Sequence, residues 1–203
     1  MSAPVAQTDT RDAILDAIER LLARYGYKKT TMDDLAREAG IGKGTIYLYF
    51  PSKEEVALSS IDRVVERVQE RLRGLAASGD PAPQRLRQML VARVLLRFDS
   101  VHAYSQGLDD LFEALRPAYM ARRNRYFESE TELFAAVLAE GRRQKTLAFT
   151  DAHATAHALL LATNALLPYS LSARELGERA EIEKKVNRLA DILLFGLLRR
   201  DNQ

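Results

Sequence analysis

Apolar residues return every three or four positions along almost the whole chain and nowhere alternate strictly with polar ones. The first such run, Ile14, Leu15, Ile18, Leu21, Leu22 and Tyr25, lays one apolar face along a helix over residues 11–25. Thr10 is placed to cap its start, and Gly26 to end it in a left-handed conformation. A short second helix opens at Thr31, where Asp34 three residues on gives a capping-box-like start, and closes at Gly40. A third runs from about Lys43 to Tyr49 and is stopped by Pro51. A fourth starts at Ser52, with Glu55 at the capping-box position, and runs toward Gly74. The stretch from Ala76 to Pro83, rich in Ser, Gly, Asp and Pro, is a break. Beyond it the spacing predicts helices at roughly 84–98, 102–115, 117–142, 151–167 and 181–200, with Pro117 in the first turn of its helix. The fold class is therefore all-α.

Two short helices joined by a tight turn bury too little to stand alone, and the first helix supplies the face they need. Leu35 and Ala39 point inward from the second helix and Ile46 from the third. Ala36 is small where the third helix crosses, Gly40 permits a positive φ, and Ile41 fills the turn. This register fits a helix-turn-helix over about residues 32–50, whose second helix enters the major groove of DNA. The exposed positions of that helix are Lys43, Gly44, Thr45, Tyr47, Leu48 and Tyr49. Lys43 and Thr45 lie near its N-terminus, where base edges are reached. Lysine donates to guanine O6 and N7, and threonine offers a hydroxyl or a methyl. Tyr47, Tyr49 and Lys53 can donate to phosphate oxygens, and Thr31 sits at a helix N-terminus, where the dipole favours an anion.

Bulk charge neither helps nor hurts this reading. The 203 residues carry a net charge of +2, and residues 1–55 hold eight basic and nine acidic side chains. The case for DNA thus rests on where individual charges sit. The absence of cysteine excludes disulfides and thiolate metal sites and fits a reducing cytoplasm. The first ten residues lack the basic start and apolar run of a secretory signal. The most apolar stretch, 156–167, is too short to span a membrane and contains His157, Thr163 and Asn164. A cytoplasmic protein with no membrane partner is expected. No glycine-rich phosphate loop, Gly-x-Ser-x-Gly elbow or His-Glu-x-x-His helix is present, so neither an enzyme nor a cofactor is expected.

The stretch Arg11 to Val56, and above all TTMDDLAREAGIGKGTIYLYFPSKEE within it, resembles the DNA-binding domain of the TetR family of bacterial repressors. Gly26-Tyr27, Thr30-Thr31, Leu35-Ala36, Ala39-Gly40, Gly44-Thr45, Tyr47, Tyr49-Phe50 and Ser52-Lys53 all fall where that family has them. The detailed match covers about a quarter of the chain, and the remainder agrees in length and helical character. The resemblance implies DNA-contact roles for Thr45, Tyr47, Tyr49 and Lys53, a packing role for Phe50, and a place for Lys43 and Gly44 where specificity varies. It implies an N-terminal arm and three-helix DNA-binding domain over 1–55, joined by the fourth helix to a larger helical ligand-binding and dimerisation domain over 56–203. It implies a homodimer on a two-fold symmetric operator, and a repressor released by a small-molecule effector. One departure is Gly42, where the family usually has Ser or Thr as the cap of the recognition helix. Glycine holds that place at a modest loss, so the departure bears on a cap or phosphate contact at residue 42 and not on the fold.

The last two helices carry more apolar surface than one core face requires. Ile182, Val186, Leu189, Leu193 and Leu197 make one stripe on the final helix, which Ile192, Leu194, Phe195 and Leu198 widen. Leu159, Leu166, Leu189, Leu193 and Leu197 are the candidates for a dimer interface built as a four-helix bundle; a monomeric core beneath the other helices is the other reading. Phe98, Tyr104, Phe112, Tyr119, Tyr126 and Phe127 lie on the middle helices. They either line a pocket for a small hydrophobic or amphipathic ligand or pack an ordinary core. Arg122, Arg123 and Arg125 either neutralise an acidic ligand or form a solvated face. His153 and His157 share a helix face at a spacing that can hold a metal, but no third ligand is evident, so no metal is assigned. Three other functions compete: a DNA-binding activator, an architectural protein without an inducer, and a helical protein-binding adaptor. The adaptor would not need Thr45, Tyr47, Tyr49 and Lys53 on one exposed face.

Overall fold

A computed structural model describes residues 4–102, 108–168 and 177–197. The regular elements among them are α1 (Pro4–Lys29), α2 (Met32–Ala39), α3 (Lys43–Tyr49), α4 (Lys53–Ala76), α5 (Ala82–His102), α6 (Leu108–Arg143), α7 (Ala152–Asn164) and α8 (Arg179–Phe195). No described helix is long and apolar enough to cross a membrane. The chain divides into two compact units, Met1–Val64 with Val101–Met120 and Val65–Ser100 with Ala121–Gln203.

The first unit is built on α1. Ile14, Leu15, Ala17, Ile18, Leu21 and Leu22 are buried along one face, against Leu35 and Ala36 of α2, Ile46 of α3 and Phe50. Each of the Ile, Leu and Phe side chains among these contributes about 1.5–3 kcal/mol by leaving water, which is how helices as short as α2 and α3 are held. The backbone is helical from Pro4, so residues 4–9 are not a free arm, and Thr10 lies inside the helix rather than capping it. Tyr25 falls outside the apolar face and is 51% exposed, with the Arg24 guanidinium 5.7 Å from its ring centre. Gly26 breaks the helix at φ 73°, a conformation that favours glycine. The unit runs past residue 55 to Val64 because Val56, Ala57, Leu58 and Val64 of α4 are buried too. Arg63 also reaches Asp16 and Glu19 of α1 at 2.7 and 2.8 Å.

Of the two helices expected at 102–115 and 117–142, the described part from Leu108 to Arg143 is the single helix α6 with Pro117 in its interior, and residues 103–107 lie outside the described residues. Proline leaves the Glu113 carbonyl without its helical donor. Leu111, Leu115 and Tyr119, four residues apart and all buried, keep the helix continuous across that point.

The second unit packs Val68 and Leu72 of α4, Leu86, Met89 and Leu90 of α5, and Phe134, Val137 and Leu138 of α6 around one core. Leu159 and Leu160 of α7 and Ala190 and Leu194 of α8 complete it. The core stripe of α8 is Ile182, Val186, Ala190 and Leu194. Leu189 and Leu193 lie one residue before Ala190 and Leu194, about 100° around the helix, and like Leu197 are only partly buried. Leu159 is 4% exposed within this core. Its side chain is thus packed inside the unit rather than turned to solvent. The large apolar side chains left exposed on α7 and α8 are Leu161, Ile192 and Phe195. Glu130 of α6 is also buried in this unit. Its carboxylate accepts from Arg93 Nε at 2.6 Å and from Arg97, both of α5, while Arg93 donates to Thr163 Oγ1 and Asn164 Oδ1 of α7 at 3.0 and 2.8 Å.

Candidate nucleic-acid interface

The sequence sets α2 and α3 by their ends. The Thr31 hydroxyl accepts from the Asp34 N–H at 3.2 Å, and Asp34 Oδ2 accepts from the Thr31 N–H at 3.1 Å and from its hydroxyl at 2.6 Å. The capping box is complete, and these hydrogen bonds hold the Asp34 carboxyl below its usual range. They also commit the only proton of the Thr31 hydroxyl to Asp34. Gly40 closes α2 at φ 68° and donates its N–H back to Ala36 and Arg37. The chain then turns into α3 through Gly42, an extended residue that offers no side-chain cap. Ile46 and Phe50 are buried and anchor α3 to the rest of the unit.

With that face buried, Lys43, Gly44, Tyr47 and Leu48 stand in solvent and Thr45 and Tyr49 are half-buried. Leu48 is 83% exposed. A Cβ added at Gly44 would meet nothing within 4 Å, so packing does not require glycine there. The Lys43 ammonium donates to Asp33 Oδ2 at 2.9 Å, and this bond raises its pKa above the usual lysine value. Asp33 is the charged neighbour that sequence reasoning passed over, and its spacing of ten residues from Lys43 across a turn gave no periodic signal.

Lys53 takes a different place from that expected of a freely exposed lysine. Its ammonium donates to the carbonyls of Tyr27 and Thr30 at 2.9 and 2.8 Å and lies 4.2 Å from the Tyr27 ring centre. Burial pushes its pKa down. Lys53 thus ties the start of α4 to the turn between α1 and α2, and only its remaining N–H can meet a phosphate.

The residues considered for an effector pocket fall in both units. Phe98 is buried in the second unit and Tyr119 in the first. Tyr126 and Phe127 are half-buried in the second unit. Tyr104 and the side chain of Phe112 lie outside the described residues. Phe127 makes an edge contact with His157, ring centres 5.0 Å apart, and Arg123 lies 5.9 Å from its ring centre. His153 faces Glu132 and Glu128 at 3.4 and 3.9 Å, so the two histidines do separate things. Among the described residues no group of three or more His, Asp or Glu is placed to hold a metal.

A short, well-anchored helix presenting lysine, tyrosine and leucine to solvent beside a capped partner defines a helix-turn-helix protein. Residues 14–59 match the sequence model of the bacterial regulatory proteins of the tetR family. The chain is 40% identical over 84 residues to the HTH-type transcriptional regulator EthR of Mycolicibacterium smegmatis, covering 41% of this chain and 39% of that protein. It is 35% identical over 85 residues to the HTH-type transcriptional repressor KstR of the same organism, covering 42% of each. It therefore spans about two fifths of the length of these curated relatives. A solved transcriptional regulator of the TetR/AcrR family from Thermobifida fusca superposes with a TM-score of 0.66 at 27% identity, covering 95% of this chain and all of that one. Residues 14–59 thus carry the DNA-binding region of the tetR family of bacterial regulatory proteins.

Proposed function

We propose that this protein is a homodimeric, sequence-specific DNA-binding transcriptional regulator, a repressor that a small molecule releases from a two-fold symmetric operator. The observation that carries the reading is α3. Its apolar anchors Ile46 and Phe50 are buried, and Lys43, Gly44, Tyr47 and Leu48 are turned outward. In this reading Lys43 and Thr45 meet base edges, and Leu48 adds apolar contact for a thymine methyl. Tyr47, Tyr49 and the remaining N–H of Lys53 donate to the phosphates, while Thr31, with its N–H and hydroxyl committed to Asp34, brings only the N-terminal end of α2 near them. The names of the relatives, a regulator and a repressor, support it.

Dimerisation places two such helices on one face of the duplex, about 34–36 Å apart or a multiple of it. Leu161, Ile192 and Phe195, with the partly buried Leu166, Leu189, Leu193 and Leu197 beside them, supply the apolar face for it. An effector acts by binding one arrangement of the dimer better than the other. Phe98, Tyr126 and Phe127 are the aromatic residues of the second unit nearest in character to a lining for a hydrophobic or amphipathic molecule. A cytoplasmic location goes with this function.

The test is selection from a random duplex library at a stated salt concentration, followed by sequencing of the bound fraction. A two-fold symmetric motif is expected. Retention without a motif would point to an architectural protein, and no retention at low salt by the folded protein would overturn the reading.

A further inference from the structure

The recognition helix begins with a lysine that is already engaged. Asp33 stands in the first turn of α2 and Lys43 is the first residue of α3. The ammonium and carboxylate meet at 2.9 Å across the turn, with the Lys43 side chain 43% and the Asp33 side chain 66% exposed. Both therefore face solvent beside Gly44 and Tyr47, on the surface assigned to DNA. Asp33 contributes nothing to the capping box, which uses Thr31 and Asp34. Among the described residues Asp33 is the hydrogen-bond partner of the Lys43 ammonium.

An isolated lysine at the mouth of a major groove is a poor reader of sequence. Its ammonium is a compact point charge on a flexible stem, and any phosphate will satisfy it. A carboxylate at 2.9 Å changes this in two ways. It fixes the direction of the ammonium, leaving two N–H groups to donate. It also repels phosphate, so a register in which the pair lies against the backbone is penalised. What suits the pair is a base edge that offers acceptors to the lysine. The guanine edge, with O6 and N7, offers two, while the paired cytosine N4–H₂ is a donor that a neighbouring carboxylate can accept. Discrimination built on a repulsive element is the general route to specificity beyond affinity.

We infer that Asp33 is a specificity-determining positioning residue: by holding Lys43 it makes that lysine read a G·C pair in the operator rather than a phosphate. The inference rests on the DNA-binding function proposed above and goes one step past it.

The experiment repeats the library selection with the full-length wild type, Asp33→Asn, Asp33→Glu and Lys43→Ala, and measures binding of each to a random duplex across a salt series. The wild type is expected to favour guanine at one position of each half-site, and Lys43→Ala to lose that preference. Asp33→Asn, with Lys43 intact, is expected to lose about tenfold of the guanine preference, within the span of one bidentate base contact. It should also bind random duplex more tightly and steepen the salt dependence by about one unit. Asp33→Glu, which keeps the carboxylate within reach, should restore the preference, an outcome that a role confined to folding would not give. A wild type with a motif that Asp33→Asn leaves unchanged overturns this inference alone. A wild type that selects no motif overturns it together with the proposed function.

Discussion

Gly44 and Gly42 are both glycines at the start of one helix, and the structure separates their roles. A Cβ at Gly44 meets nothing within 4 Å, so Gly44→Ala should keep the fold and add up to about 1 kcal/mol by its better helix propensity. If the backbone there approaches DNA closely, the same change should weaken operator binding about tenfold, the equivalent of about 1.4 kcal/mol. A raised melting temperature with unchanged DNA affinity would remove Gly44 from the interface. Gly42 is extended, at φ −67° and ψ 143°, and caps α3 without a side chain. A Cβ there would meet only Thr45 Oγ1, at 3.7 Å. Gly42→Ser should therefore supply the missing cap and stabilise by about 0.5–1 kcal/mol, partly through the unfolded chain. Calorimetry should show the midpoint rise by about 1–3 °C; a fall would mean the serine cannot take the cap geometry. The capping box, the role of Gly40 and the outward face of α3 could all be read from local spacing. The engagement of Lys53 and the pairing of Lys43 with Asp33 could not, because both depend on contacts across turns.

The same division holds among the helices. Their existence followed from apolar periodicity, but their ends followed from packing that periodicity does not carry. The helical backbone of residues 4–9 extends α1 beyond its apolar run, and Pro117 is tolerated inside α6 because buried residues flank it. The largest element-level feature missed was polar. Arg93, Arg97 and Glu130 look in sequence like residues of solvated faces, yet all three are buried, and with Thr163 and Asn164 they join α5, α6 and α7. Burial alone would push the Glu130 carboxyl up, but the attraction of Arg97 and Arg93 and their hydrogen bonds outweigh it and hold it below its ordinary value of 4.5. A carboxylate depressed in the folded state contributes stability in full above its unfolded pKa and loses it as pH falls through the folded value. Glu130 therefore contributes at neutral pH and stops contributing only below the usual glutamate range. Glu130→Gln leaves two buried guanidiniums without their anion and should cost about 3–5 kcal/mol at pH 7. The difference from wild type should shrink in acid unfolding curves at low pH. A variant as stable as wild type at neutral pH would show that the cluster is balanced by other groups.

The quaternary reading is the one that sequence patterning carried least reliably to particular residues. An excess of leucine on α7 and α8 was visible, but which leucines face the core depends on how each helix is rotated. The structure gives the core to Leu159, Ala190 and Leu194 and leaves Leu161, Ile192 and Phe195 51%, 62% and 63% exposed. Three large apolar side chains kept in water on two consecutive helices are a standing cost in a monomer. In the dimer proposed above they would form the hydrophobic centre of the two-fold interface. A stable interface buries about 1,200–2,000 Å² in total, so these residues can form its middle but not its whole, and charged neighbours such as Arg188 and Asp191 would lie at its rim. Ile192→Asp and Phe195→Asp together place carboxylates at that centre while leaving the core stripe Ile182, Val186, Ala190 and Leu194 untouched. Sedimentation should then report the monomer mass with helix content preserved. Operator affinity should fall steeply, because each recognition helix would have to bind its half-site unaided. A double variant that remains a dimer would place the interface on another face of the molecule, and one that is monomeric yet binds the operator as tightly as wild type would separate DNA recognition from dimerisation.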